Sequence, residues 1–316
     1  MFALRGAAVS LSVLVMVYCG LSFAVACAWR RFCAGIRPGH AQGRADLLFI
    51  LRILPLAAAM LITAAFTVPS FLMLEPRAID EPMGALPLVL GLFATALAGF
   101  GIINAATAAR KASRTISSWK REAQLRPYDS RVPVLRIAQP IPAMTTVGMI
   151  RPRILLSGAA ESVLGSSELD AALRHEAAHV RRHDNLKKLL FHVVAFPGMR
   201  GLEAAWLESS EIAADEAAVS NSAEALDLAA ALIKLSRFAP TGEPEHLTAA
   251  LVHSPASAMS TRVYRLISWS DGRQLRSGNA FGWRIMTGGL AAAVVLAAIY
   301  SPTLARVHAA TEWLIR

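Results

Sequence analysis

Apolar and polar positions divide the chain into four long apolar blocks and one stretch of mixed pattern. Gly6–Trp29 carries no charge and is long enough to cross a bilayer as a helix. Ala24-Val25-Ala26 resembles a signal-peptide cleavage site, but the n-region holds only Arg5 and Arg30-Arg31 follows at once, so the block reads as a retained anchor. Ile53–Leu74 follows Arg52, with Pro55 and Pro69 near its ends, where a transmembrane helix tolerates them. Gly84–Ala109 is rich in Gly and Ala, which suits close helix packing. Ile285–Ala305, bounded by Arg284 and Arg306, is the fourth block.

Between the third and fourth blocks the periods shorten. Arg110–Arg131 reads as a basic helix beside the membrane, a segment that anionic lipid attracts. Val132–Ala138 and Arg153–Ser157 read as short strands, separated by the turn-rich Gln139-Pro140-Ile141-Pro142 and by Gly148. Such a small sheet offers either an edge for an extended peptide or only a structural hairpin. Ser167–Leu190 reads as one helix, with Ser167 as N-cap and Lys187 and Lys188 near its end. Leu189–Met199 is apolar but too short to span, Glu208–Glu216 is rich in helix formers, and Ala223–Phe238 has an amphipathic helical pattern. Glu243–Ser277 mixes polar residues with His246, His253 and Tyr264, any of which could donate to a tetrahedral intermediate.

The expected architecture is therefore a mainly helical membrane protein with an inserted domain. Residues 1–109 form a membrane domain with spans at 6–29, 53–74 and 84–109, and residues 110–284 form an α+β domain. A fourth span follows at 285–305, with a short tail at 306–316.

Composition agrees with the blocks. Of 316 residues, 55% are hydrophobic and only 17% charged, too apolar for an ordinary soluble enzyme. The net charge of +10 does not change that picture, because the basic residues cluster beside the apolar blocks and no base-contacting motif accompanies them. Direct nucleic-acid binding is not expected. Arg30, Arg31, Arg37 and Arg44 lie between the first two blocks, and Glu75, Asp80 and Glu81 against Arg77 between the next two. Arg110, Lys111, Arg114, Lys120 and Arg121 follow the third. By the positive-inside rule, the first loop and residues 110–284 are cytoplasmic, while the second loop, the N-terminus and the tail lie outside. Cys19, Cys27 and Cys33 offer neither a disulfide framework nor a zinc-knuckle spacing.

Candidate chemistry centres on His175-Glu176-Ala177-Ala178-His179. On a helix, residues four apart share a face, so both imidazoles can close on one zinc ion, with Glu176 beside them as a base for water. A catalytic zinc needs three protein ligands and an open position. Downstream, Glu211 and Asp215 also share a face, so one of them can reach the metal while the other orients a ligand imidazole. His183 is excluded as a ligand, since it lies about 12 Å along the helix from His175 at ~1.5 Å per residue. The metzincin pattern fails too, with Arg182 where it needs Gly and Asn185 where it needs His.

These residues carry a family resemblance. Val147-Gly148-Met149-Ile150-Arg151-Pro152-Arg153-Ile154-Leu155-Leu156, Glu168-Leu169 and Leu173-Arg174-His175-Glu176-Ala177-Ala178-His179-Val180-Arg181-Arg182-His183-Asp184 resemble the BlaR/MecR-type membrane zinc peptidases, the beta-lactam-responsive sensors and antirepressors of bacteria. The resemblance implies a cytosolic gluzincin-like zinc domain between a third and a fourth span in the bacterial inner membrane. It implies one zinc per chain, with His175, His179 and Glu211 as ligands, Glu176 as catalytic base and Asp215 behind the ligands. It also implies a protein substrate, cytosolic or membrane-proximal, such as a transcriptional repressor in regulated proteolysis. The sensors of that family carry a penicillin-binding domain after the fourth span, whereas no S-x-x-K motif follows the fourth block here, so a separate sensor protein is expected as a partner. A more distant likeness runs to the HtpX-type quality-control peptidases, which implies clearance of membrane proteins as the alternative. A signalling scaffold with a vestigial zinc site is the non-enzymatic alternative.

Overall fold

The structure, a computed structural model, describes residues 2–32, 41–76, 84–120, 123–126, 132–138, 143–149, 151–194, 196, 198–237, 249–250, 256–269, 300 and 302–313. Two compact units divide it: residues 1–35, 51–100 and 275–316 form the first, residues 36–50 and 101–274 the second.

Three helices are long and apolar enough to cross a membrane, over Phe2–Arg31, Ala41–Leu74 and Ala85–Trp119. The first is α1 (Phe2–Phe32). The second comprises α2 (Ala41–Ile62), a π-helical turn at Thr63–Thr67 and α3 (Val68–Leu74). Leu61, Met73, Leu92 and Phe100 stand exposed on these helices, as a lipid-facing surface requires.

Pro69 accounts for the irregular turn in the second helix. It has no N–H to give the carbonyl four residues back, which is that of Ala65. Tyr300 Oη donates to that carbonyl instead, at 2.9 Å.

The second helix starts at Ala41, well before the predicted Ile53, because its first turns belong to the second unit. There Ala41 is buried with Ile212 and Ala213, Phe49 stacks on Phe191, and Lys187 Nζ lies 3.4 Å from Asp46. The third helix, α4 (Ala85–Lys120), likewise runs past its predicted end. Ile116 and Trp119 pack on the buried Leu135, Ile137, Val147 and Leu155, so the predicted separate basic helix is its continuation. Gln124–Arg126, predicted as part of that helix, is a strand. Most of the predicted fourth span lies outside the described residues. Its last residues begin a helix over 302–313 that takes in most of the predicted tail.

In the second unit a five-stranded sheet has the order β1-β2-β4-β3-β5, with β1 (Gln124–Arg126), β2 (Val134–Ile137), β3 (Met144–Val147), β4 (Arg153–Ser157) and β5 (Ala249–Ala250). The two predicted strands, β2 and β4, pair in parallel and not as a hairpin; the hairpin is β3 with β4. Ser157 ends β4 and caps α5 (Gly158–Val163), its Oγ accepting the Ala160 N–H at 3.0 Å.

The core joins one face of the sheet to α5, α6 (Ser166–Arg181), α9 (Ser222–Ser236) and α10 (Ala256–Ile267), through Met144, Ile154, Leu156, Ala171, Leu228, Leu232 and Leu266. α7 (Asp184–Val193) and α8 (Arg200–Ala218) complete the unit.

The predicted helix Ser167–Leu190 is two helices, α6 and α7, broken at His183. Gly165 and not Ser167 caps the first of them, with Glu168 Oε2 accepting the Gly165 N–H at 2.7 Å.

Candidate metal centre

α6 packs its small residues Ala171, Ala172 and Ala178 inward, which brings its backbone close to its neighbours and buries His175 and Glu176 completely. α8 presents Glu211 and Asp215 one turn apart toward the same place.

Each imidazole is held by a carboxylate. His175 Nδ1 lies 2.9 Å from Asp215 Oδ1, and His179 Nδ1 lies 2.7 Å from Asp184 Oδ2. With the proton of each neutral ring on the Nδ1 that faces its carboxylate, both Nε2 lone pairs are free, and the two Nε2 atoms stand 3.1 Å apart. Glu211 completes a triangle: its Oε2 is 3.6 Å from His175 Nε2 and its Oε1 is 3.6 Å from His179 Nε2. Donors bound at about 2.1 Å around a tetrahedral ion stand about 3.4 Å from one another. These three residues can therefore hold a metal ion, and two imidazoles with one carboxylate leave a fourth position open.

Glu176 lies beside this triangle. Thr146 Oγ1 donates to its Oε2, while its buried Oε1 has no hydrogen-bond partner among the described residues. A buried oxygen left bare beside a three-ligand site is what a water held at the fourth position would satisfy. Asn185 in turn fixes β3, donating to the Thr146 carbonyl at 3.0 Å.

The charges set each other's protonation. Burial pushes His175 down, but the neighbouring Asp215 and Glu211 carboxylates outweigh it and raise its pKa to about 9 in the absence of metal. Burial raises Glu176 above the ordinary carboxylate range, against the pull of His179, His175 and Thr146. For Glu211, burial pushes upward, but His179 and Arg262 prevail and hold it well below that range. Asp215 is lowered in the same way, burial being overcome chiefly by Arg262.

All five site residues read from the sequence come together. His183 does not: it is exposed, outside the triangle. Among the neighbours of Glu211, Glu208 is exposed, and Glu216 pairs with Arg265 at 2.9 Å. Tyr264 points outward and is 74% exposed, while His246 and His253 lie outside the described residues.

Sequence reading missed Thr146, Asn185 and Arg262 and gave Asp184 no role. The Arg262 guanidinium is buried, with Nε and Nη2 each 2.7 Å from Asp215 and Nη1 2.9 Å from Glu211 Oε2. Asp184 lies five residues after His179, and only a break in the helix turns it back onto the ring. For Arg262 no local signal exists.

A model of the BlaR1 peptidase M56 family matches residues 84–266 of this chain, from the start of α4 to the last turn of α10. The matched stretch includes every residue of the site. No curated protein matches the chain.

Proposed function

The chain belongs to the BlaR1 peptidase M56 family, and from that premise we propose that it is a zinc-dependent endopeptidase of the bacterial cytoplasmic membrane with its active site facing the cytosol. The observation that carries this reading is the convergence of His175 Nε2, His179 Nε2 and Glu211 at metal-ligand separations, with the bare Oε1 of Glu176 beside them.

His175, His179 and Glu211 would hold the zinc, which when bound supplies Lewis acidity toward the scissile carbonyl and lowers the pKa of the attacking water. Glu176 takes the proton from that water at Oε1 and hands it to the leaving amine. Its desolvated, raised carboxyl suits both halves of that transfer. Thr146 donates to Oε2 and so leaves Oε1 as the oxygen without a partner among the described residues, available for that proton. Asp215 and Asp184 hold the two imidazoles by Nδ1, and Arg262 holds Asp215 and Glu211 in turn. The substrate is a cytosolic or membrane-proximal protein, by analogy with the family a transcriptional repressor, and a separate sensor protein would supply the stimulus.

Glu176→Gln tests the assignment, because the amide cannot accept the proton yet fills the same space. Purified in detergent, that variant should keep its zinc and lose a factor of about 10² to 10⁴ in cleavage of a casein-like substrate. Glu211→Ala and His179→Ala should each release the zinc. A Glu176→Gln protein that cleaves at the wild-type rate would remove Glu176 as the base, and one that has lost cleavage yet restores the phenotype of a strain lacking the gene would replace the enzyme with a scaffold.

A further inference from the structure

The membrane unit gathers a second group of ligand-type side chains. Glu75 directly follows α3, and His308 and Glu312, four apart on the 302–313 helix, share a face. His308 Nε2 is 3.6 Å from Glu312 Oε1, and His308 Nδ1 is 3.9 Å from Glu75 Oε2. One ring nitrogen and one oxygen from each carboxylate all fall within 4.8 Å of one another.

These separations exceed hydrogen bonds, which close to about 2.7–3.0 Å. One ion takes a single nitrogen of the ring, so the two are not distances around one ion. With one ligand atom from each residue, the three lie within 4.8 Å of one another, wider than the ~3.4 Å between donors on a small divalent ion and closed by a modest turn of the side chains. The Glu75 and His308 side chains are 5% and 16% exposed, and His308 Nδ1 is buried without a hydrogen-bond partner among the described residues. A buried polar nitrogen so placed calls for a ligand. Arg5 Nη2 lies 3.1 Å from Glu75 Oε1, which leaves Oε2 toward the ring. Two carboxylates against one guanidinium leave their charges one negative in excess. The bond from Tyr300 to the Ala65 carbonyl independently sets the same two segments side by side.

We propose that Glu75, His308 and Glu312 form a second metal site, which binds a divalent transition-metal ion such as zinc and ties the 302–313 helix to the end of the second span. One imidazole and two carboxylates suit zinc, with water as the fourth ligand. On the topology proposed above, this site lies outside the membrane.

Zinc content of the full-length protein in detergent tests it, with His175→Ala removing the peptidase ion. The wild type should hold two zinc ions per chain, His175→Ala one, His308→Ala one, and the double variant none. Glu312→Gln, at a half-exposed position, spares the fold and should weaken the remaining zinc of the His175→Ala chain at least tenfold in a zinc titration. A wild type that holds one ion, lost with His308→Ala but kept in His175→Ala, would support this site and sink the peptidase reading alone. A His175→Ala chain that takes up no zinc would overturn the proposal. So would one whose zinc affinity is the same with and without Glu312→Gln.

Discussion

At Arg262 a side chain only 2% exposed meets two carboxylates that are themselves nearly buried, those of Glu211 and Asp215. Removing the guanidinium would leave both without a counter-charge in a region closed to water. Arg262→Met, close in size, should therefore cost the peptidase unit roughly 3–5 kcal/mol of stability, read from denaturant melts in detergent. Arg262→Lys should recover part of that, since one ammonium cannot reproduce the three contacts. Wild-type stability in Arg262→Met would show that these contacts contribute little. The contrast with α6 is instructive. His175, Glu176 and His179 declare themselves because one helix turn separates them and helix geometry alone sets their face. Arg262 and Thr146 reach the same site from tens of residues away, with nothing in their own neighbourhoods to mark them.

Among the elements, the break between α6 and α7 decides most. Residues from Ser167 to Leu190 include no Gly or Pro, so helical periodicity runs through Arg182 and His183 without a stop signal. Yet His183 adopts φ 54°, a left-handed conformation that costs an L-residue roughly 1–2 kcal/mol. What offsets it is Asp184, which the turn carries back to His179 Nδ1. His183→Gly relieves the strain and should leave the protein as stable or up to about 1 kcal/mol more so. His183→Val should destabilise it by at least that strain and loosen the metal by shifting Asp184. Melting curves and zinc retention of the two variants measure this. A valine variant indistinguishable from the glycine one would show that the turn bears no strain. The second span has the same lesson: Pro69 is visible in the sequence, but its consequence, a carbonyl satisfied by Tyr300, is not.

For the whole molecule, the topology proposed from the charge asymmetry of the loops has the peptidase unit in the cytosol and the tail outside. A reporter active only in the cytosol should work when fused after Ser236 and fail when fused after Arg316. The reverse result would remove the cytosolic substrate along with the topology. The apolar blocks, the charges between them and the H-E-x-x-H spacing are local properties, each settled by one segment's burial preference or by helix geometry. They sufficed to read a membrane protein with a helix-borne pair of histidines spaced to share one metal ion. Where each helix ends was not legible, because α2 and α4 are prolonged by packing against Ile212, Ala213 and the sheet, partners remote in sequence. Spacing also left open which of Glu211 and Asp215 would face a metal, since both lie on one side of α8, and it was the family resemblance that implied Glu211. The tertiary structure separates them. It sets Asp215 against His175 Nδ1, and Glu211 3.6 Å from both Nε2 atoms, with Arg262 meeting both carboxylates. A face of a helix follows from spacing, but which of its members meets a given atom depends on what the other elements press against it.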